Sequence, residues 1–217
     1  AQELPELIPD GDVVAPSPIS LKSFGQKQEH SAREMTNEEI EQAIKDFGEA
    51  TRRAIEAGFD GVEIHGANHY LIHQFVSPYY NRRNDVWANQ YKFPVAVIEE
   101  VLKAKEAYGN KDFIVGYRLS PEEAESPGIT MEITEELVNK ISHMPIDYIH
   151  VSMMDTHATT REGKYAGQER LPLIHKWING RMPLIGIGSI FTADEALDAV
   201  ENVGVDLVAI GRELLLD

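Results

Sequence analysis

The chain of 217 residues contains no cysteine, which excludes disulfides and thiol chemistry. No secretory leader is visible at Ala1, and together these absences make the cytoplasm the expected location. No apolar run approaches the length a bilayer demands. A soluble protein with one sizeable core and no membrane partner is therefore expected. Basic residues are scarce, 20 Lys and Arg against 36 Asp and Glu. The resulting net charge of -16 repels phosphate backbones and argues against nucleic acid as a partner. Residues 1 to 34 lack any period, because Pro5, Pro9, Gly11, Pro16 and Pro18 interrupt it. They read as an irregular segment with a short hairpin around Val13 to Ile19.

Beyond that segment the pattern is regular. Thr36 and Glu39 form a capping box, and Ile40, Ile44, Phe47, Thr51 and Ala54 hold one helical face as far as Ala57. Gly58 suits a left-handed helix close, and Asp60 to Ile64 reads as a short buried strand. Pro94 fits the first turn of a second helix, and Asp112 to Leu119 reads as the second strand. A third helix carries Thr134, Leu137, Val138 and Ile141, and leads to a third strand, Ile146 to Ser152. After a polar loop to about Gln168 comes a helix around Leu173 to Trp177. The strand Pro183 to Gly188, a helix capped by Thr192 and Glu195, and a fifth strand, Val205 to Ile210, complete the series. Strand and helix alternate throughout, which means a parallel α/β sheet, either open and doubly wound or closed as an eight-stranded barrel. Five strands alone favour the open form.

Chemistry concentrates where the first of these strands runs out. His65, Asn68, His69 and Tyr70 leave it at the carboxyl end, the edge at which α/β proteins bind ligands. Glu63 shares the inward face with His65 and needs a partner, for which Arg118, at the end of the next strand, is the candidate. By itself Arg118 reads equally as a structural ion-pair member or as an anion stabiliser. The last two strands end in Gly188-Ser189 and Gly211-Arg212. Such glycines are ordinary turns or, taken together at a barrel rim, a place where bare backbone N–H groups meet a phosphate at a helix start. His65, His69 and His73 recur every four residues, but a strand end at His65 breaks the helical register a metal site would need, so no metal is expected. His73 reads as a packing residue, and Trp87 and Tyr91 read as packing rather than as lid aromatics. His143, His150, His157 and His175 have no partners at diagnostic spacing, with His150 in a strand and the others on surfaces.

The run EIHGANHYLIHQFVSP, with Asn81 and Arg83-Asn84-Asp85 after it, resembles the signature of the old yellow enzyme family of flavin-dependent ene-reductases. The resemblance implies a (β/α)8 TIM barrel in which the five strands are the fourth to the eighth. Residues 1–34 would follow the third strand, and 35–217 would form a partial barrel within a single domain, with family sequence continuing on both sides. It implies FMN as cofactor and NADH or NADPH as reductant, acting on a small enone or quinone-like substrate. By likeness His65 and Asn68 hold the substrate carbonyl, Tyr70 donates a proton, and Arg118 lies against the flavin. Gly188, Ser189, Gly211 and Arg212 would hold the FMN phosphate. His69, where the family has glycine, is assigned to the substrate mouth. Val86 to Lys92 also departs from the family, which carries a longer stretch there, so substrate preference does not transfer. A homo-oligomer stays open. The alternatives are a phosphate-binding barrel lyase or isomerase without flavin, and a non-catalytic barrel fragment.

Overall fold

A computed structural model describes residues 11–22, 29–109 and 111–215. Pro5 and Pro9 lie outside this range. The expected hairpin is replaced by a small sheet in which β1 (Val14–Ala15) and β2 (Ile19–Lys22) do not pair with each other. Instead β3 (Glu29–Glu34) lies between them, parallel to β1 and antiparallel to β2. Pro16 and Pro18 explain the difference, since a strand cannot use prolines as ladder donors across so short a turn. This sheet is tied to the rest by Arg83, whose guanidinium donates to the carbonyls of Pro16 (2.9 Å) and Met35 (2.7 Å) and pairs with Asp85 at 2.6 Å. Arg83-Asn84-Asp85 therefore includes a structural clamp.

Helix α1 (Asn37–Glu56) opens on the expected capping box, with Thr36 and Glu39 satisfying each other's backbone amides, and closes through Gly58 at φ 84°. The main sheet then alternates as read: β4 (Gly61–Gly66), α2 (Leu71–Val76), α3 (Lys92–Tyr108), β5 (Ile114–Leu119), α4 (Met131–Ile141) and β6 (Tyr148–Val151). It ends with α5 (Arg170–Ile178), β7 (Leu184–Gly186), α6 (Ala193–Asp198) and β8 (Leu207–Val208). All five strands are parallel in the order β4-β5-β6-β7-β8, one arc in which each strand neighbours the next in sequence.

Period two divides the sheet into two faces. Ile64, Val115, Tyr117, Leu119, Ile149, Val151 and Leu184 are buried on the side covered by helices. Glu63, His65, Gly116, Arg118, Tyr148 and His150 alternate with them on the other side. Phe75 of α2 stacks on Phe93 of α3 at 4.0 Å between ring centroids, both fully buried, and this holds the short helix after β4 in place. Trp87 is buried against Phe93 within a single 3₁₀ turn, Val86–Ala88, while Tyr91 packs on the core, so both aromatics are packing residues.

Candidate active site

Strand β4 runs two residues further than expected, through Gly66, so His65 is still within the ladder and only Asn68, His69 and Tyr70 leave it. The extension has a cause in Gly66: a Cβ there would lie 2.4 Å from the Tyr117 hydroxyl, and glycine alone lets the strands stay paired. Parallel register sets His65 opposite Arg118 and Arg118 opposite His150, so three nitrogen side chains stand side by side on the inward face.

Glu63 is the centre beneath them. Its Oε1 lies 2.6 Å from Arg118 Nε, a close charge pair whose N–H points off the carboxylate axis. Its Oε2 accepts from Tyr148 Oη at 3.0 Å and contacts His150 Nδ1 at 2.9 Å. Gly116 makes this possible, because a Cβ there would sit 2.0 Å from the Tyr148 ring. Burial pushes the Glu63 pKa up. The hydrogen bond and charge of His150, the charge of Arg118 and the Tyr148 hydroxyl together outweigh it, and the net shift is downward. Tyr148 moves the other way, pushed up to about 12 by burial and by the Glu63 carboxylate. The expected Glu63–Arg118 pair is present. Tyr148 and His150 were not foreseen, since no sequence spacing links them to Glu63.

Burial first, then the charge of Arg118, pushes His65 below its ordinary value, so the ring is neutral near pH 7 and carries one N–H. Its Nδ1 is buried with no hydrogen-bond partner among the described residues, which leaves Nε2 as the accessible nitrogen. Asn68 adopts φ 57°, a left-handed conformation that asparagine tolerates. Its Oδ1 accepts from Ser152 Oγ (3.2 Å) and Ser120 Oγ (3.4 Å), and its backbone N–H donates to Ser120 Oγ (3.0 Å). With the oxygen so engaged, the Nδ2 amide is the free end. The Tyr70 ring stands 5.1 Å from His65 between centroids and is 62% exposed, so it is not packed into the turn it caps. His65, Asn68 and Tyr70 therefore lie together at the carboxyl end of β4, the two rings adjacent and the asparagine tied to Ser120 and Ser152.

His69 is held elsewhere. Its ring contacts are with His73 (4.6 Å) and Tyr80 (5.8 Å), over the buried Glu123. His73 Nε2 meets Glu123 Oε2 at 2.7 Å, so this buried ring has a hydrogen-bond partner as well as a packing role. His150 and His157 likewise have partners that spacing does not reveal. His157 bridges Glu169 (2.9 Å) and Asp198 (2.7 Å), tying the loop after β6 to α6.

At the far end of the arc the glycine-ended segments meet. Arg212 Nη2 donates to Ser189 Oγ at 3.0 Å, and Ser189 Oγ donates to the Met154 carbonyl at 2.6 Å. A Cβ on Gly188 would stand 2.7 Å from the backbone of Asp155 and Thr156, whereas one on Gly211 would meet nothing within 4 Å. Part of the helix start beyond β7 is already occupied. Glu195 closes the capping box of α6 and accepts from the N–H groups of Phe191 (2.8 Å) and Thr192 (2.9 Å), so the helix carries its own anion. The strands are also shorter than read, β7 ending at Gly186 and β8 at Val208. Among the described residues only a 3₁₀ turn, Glu213–Leu215, follows β8.

Comparison with known proteins places the chain in a family. The family model described as the NADH:flavin oxidoreductase / NADH oxidase family matches residues 3–217. A Bacillus subtilis (strain 168) protein named probable NADH-dependent flavin oxidoreductase YqiG is 48% identical over 216 residues, 98% of this chain and 56% of its own length. NADH:acrylate oxidoreductase of Vibrio harveyi is 43% identical over 85% of this chain and 19% of its own length. NADH:fumarate oxidoreductase of Klebsiella pneumoniae (strain 342) is 40% identical over 96% of this chain and 23% of its own length. Among solved structures, morphinone reductase in complex with tetrahydroNAD superposes with a TM-score of 0.72 at 26% identity, covering 94% of this chain and 57% of that one. An old yellow enzyme homologue from Zymomonas mobilis gives 0.72 at 24% identity over 93% and 57%, which bears on the fold alone. The five-stranded arc is accordingly part of a (β/α)8 barrel, and the chain spans about half the length of the B. subtilis relative. Its residues match the family model from end to end, and the chain belongs to the NADH:flavin oxidoreductase / NADH oxidase family, whose cofactor is FMN and whose reductant is NADH or NADPH.

Proposed function

We propose that the protein containing this chain uses NADH or NADPH to reduce the C=C bond of α,β-unsaturated carbonyl compounds. What supports the reading is that His65, Asn68 and Tyr70 follow one another at the carboxyl end of β4, with the His65 and Tyr70 rings 5.1 Å apart and the Asn68 oxygen already taken by Ser152 and Ser120, three side chains able to donate protons or hydrogen bonds. The names of the acrylate and fumarate oxidoreductases support it, since both acids have a C=C bond conjugated to a carbonyl carbon.

The residues present fit FMN. Arg118 is paired with Glu63 through Nε, and neither of its Nη groups has a hydrogen-bond partner among the described residues, so those N–H groups are left to meet an anionic ring. The open backbone at Gly211, beside Arg212 and Ser189, suits a phosphate. Arg118, Gly188, Ser189, Gly211 and Arg212 would hold it, with the phosphate on loop amides and Arg212 rather than on α6. When bound, FMN supplies the hydride for the β carbon of the substrate. His65 and Asn68 donate to the carbonyl oxygen as negative charge develops there, and neutral His65 does so without giving up its proton. Tyr70 acts as general acid toward the α carbon.

The test separates the two halves of the cycle. In the full-length protein Tyr70→Phe should leave flavin reduction by NAD(P)H nearly intact and slow enone reduction by about 10²–10⁴-fold, while quinone reduction is largely spared. Stopped-flow traces of the two steps decide it. Equal slowing of both steps, or of neither, would remove Tyr70 from the proton-donor role.

A further inference from the structure

We infer that His69, His73 and Glu123 form a binding site for a first-row divalent metal ion of the zinc type. Their ligand atoms all lie within 4.8 Å of one another, and the set of two imidazoles and one carboxylate is one that such ions take with coordination positions left open. The inference is independent of the catalytic reading above, since none of its geometry involves His65, Asn68 or Tyr70.

Each ligand is fixed in a way that packing alone does not require. Glu123 is buried, and the oxygen turned away from the histidines is occupied by the Ser77 hydroxyl and by the Ile129 N–H at 2.8 Å. The other, Oε2, faces His73 Nε2 at 2.7 Å and His69 Nδ1 at 3.7 Å. That is the outer-shell support a metal-bound carboxylate ordinarily has. His73 is 1% exposed and lies in α2, while His69 precedes the helix, and the turn between them brings the two rings to 4.6 Å between centroids.

His69 is the decisive residue. Its φ of 61° is a left-handed backbone that costs a non-glycine residue energy, and Gln74 Nε2 donates to its carbonyl at 2.8 Å to help hold the turn. Glycine would relieve the strain. What the strained conformation achieves is to hold Nδ1 over a carboxylate already paired with one histidine.

The fit requires movement. Two ligands of a tetrahedral ion at about 2.0 Å stand about 3.3 Å apart, so the His73–Glu123 contact must widen by roughly 0.6 Å, the His69–Glu123 contact must close by roughly 0.4 Å, and the two imidazole nitrogens, which lie within 4.8 Å of each other, must reach the same separation. The half-exposed His69 ring is the one free to swing. The fourth position opens toward solvent on the His69 side.

The experiment uses the full-length flavoprotein, stripped with chelator and titrated calorimetrically with Zn²⁺ alone. One equivalent should bind, and His69→Gly, a substitution that relieves strain and so preserves the fold, should weaken binding by at least about 100-fold with the flavin spectrum unchanged. Glu123→Gln should do the same, and His157→Gln should leave binding as in the parent. Co²⁺ added in place of Zn²⁺ should show visible ligand-field bands that His69→Gly abolishes. No binding by the parent, full binding by His69→Gly, or loss of binding in His157→Gln would each overturn the assignment.

Discussion

Removing the charge at the centre of the inward face should be costly in a pH-dependent way. Glu63→Gln keeps the shape of the side chain and an oxygen that still accepts from Tyr148 and His150, so the loss is confined to charge. Converting two charge-assisted hydrogen bonds to neutral ones costs about 1 kcal/mol each, the difference between the usual values for the two kinds. The pair with Arg118 is neither exposed nor sealed, at 33% and 22% side-chain exposure. Its loss therefore falls between the surface and buried limits, at about 1 kcal/mol. These losses sum to about 3 kcal/mol, but the charged form also carries a burial penalty that glutamine escapes, so the net loss near pH 7 is about 1–2 kcal/mol, readable as a lower urea midpoint with unchanged slope in the full-length protein. The folded pKa of Glu63 is below its ordinary value of 4.5, so the charge stabilises the fold above that pH and the benefit is lost as pH falls through the lowered value. Parent and variant should converge there, because glutamine has nothing to titrate. A difference below about 1 kcal/mol at pH 7, or one that persists into acid, would refute the central role assigned to this carboxylate.

Two further outcomes follow from geometry already given. His65→Ala and Asn68→Ala should each weaken binding of phenolic ligands to the oxidised flavoprotein by about 1–3 kcal/mol, seen as loss of ligand-induced absorbance shifts, and unchanged shifts in both would mean that the oxygen site lies elsewhere. The His157 pKa is raised above 6.5 by its bonds to Glu169 and Asp198. Its bridge is thus complete below that value and lost as pH rises through the raised one. Amide exchange in the loop after β6 should quicken over that rise in the parent. In His157→Gln it should be fast and free of that added pH dependence, and identical profiles would exclude the bridge.

What could be read from the sequence was whatever is local in it. Capping at Thr36 and at Thr192 is a matter of three residues, and His65, Asn68 and Tyr70 lie within a single turn of chain, so their grouping follows from where one strand stops. The partners of Glu63 are 85 and 87 residues away and meet it only through the register of two strand pairs. A trace of them existed in Gly116, since a glycine inside a buried strand marks a place where something else comes close, here the Tyr148 ring. The hairpin failed for a different reason, because pairing β1 with β2 looked local while the true neighbour of both was β3. The capping box of α6 was legible, but its consequence for the site was not, as it required seeing that one carboxylate occupies both amides.

That carboxylate bears on the order of events in making the enzyme. A helix that depended on a phosphate for its first turn would be frayed until cofactor arrived, and flavin loss would unravel it. With Glu195 in residence the helix is complete on its own, and Arg212 rests on Ser189, which is itself anchored on Met154. The first turn of α6 is thus closed by a carboxylate of the chain itself, and its order does not wait on any bound anion.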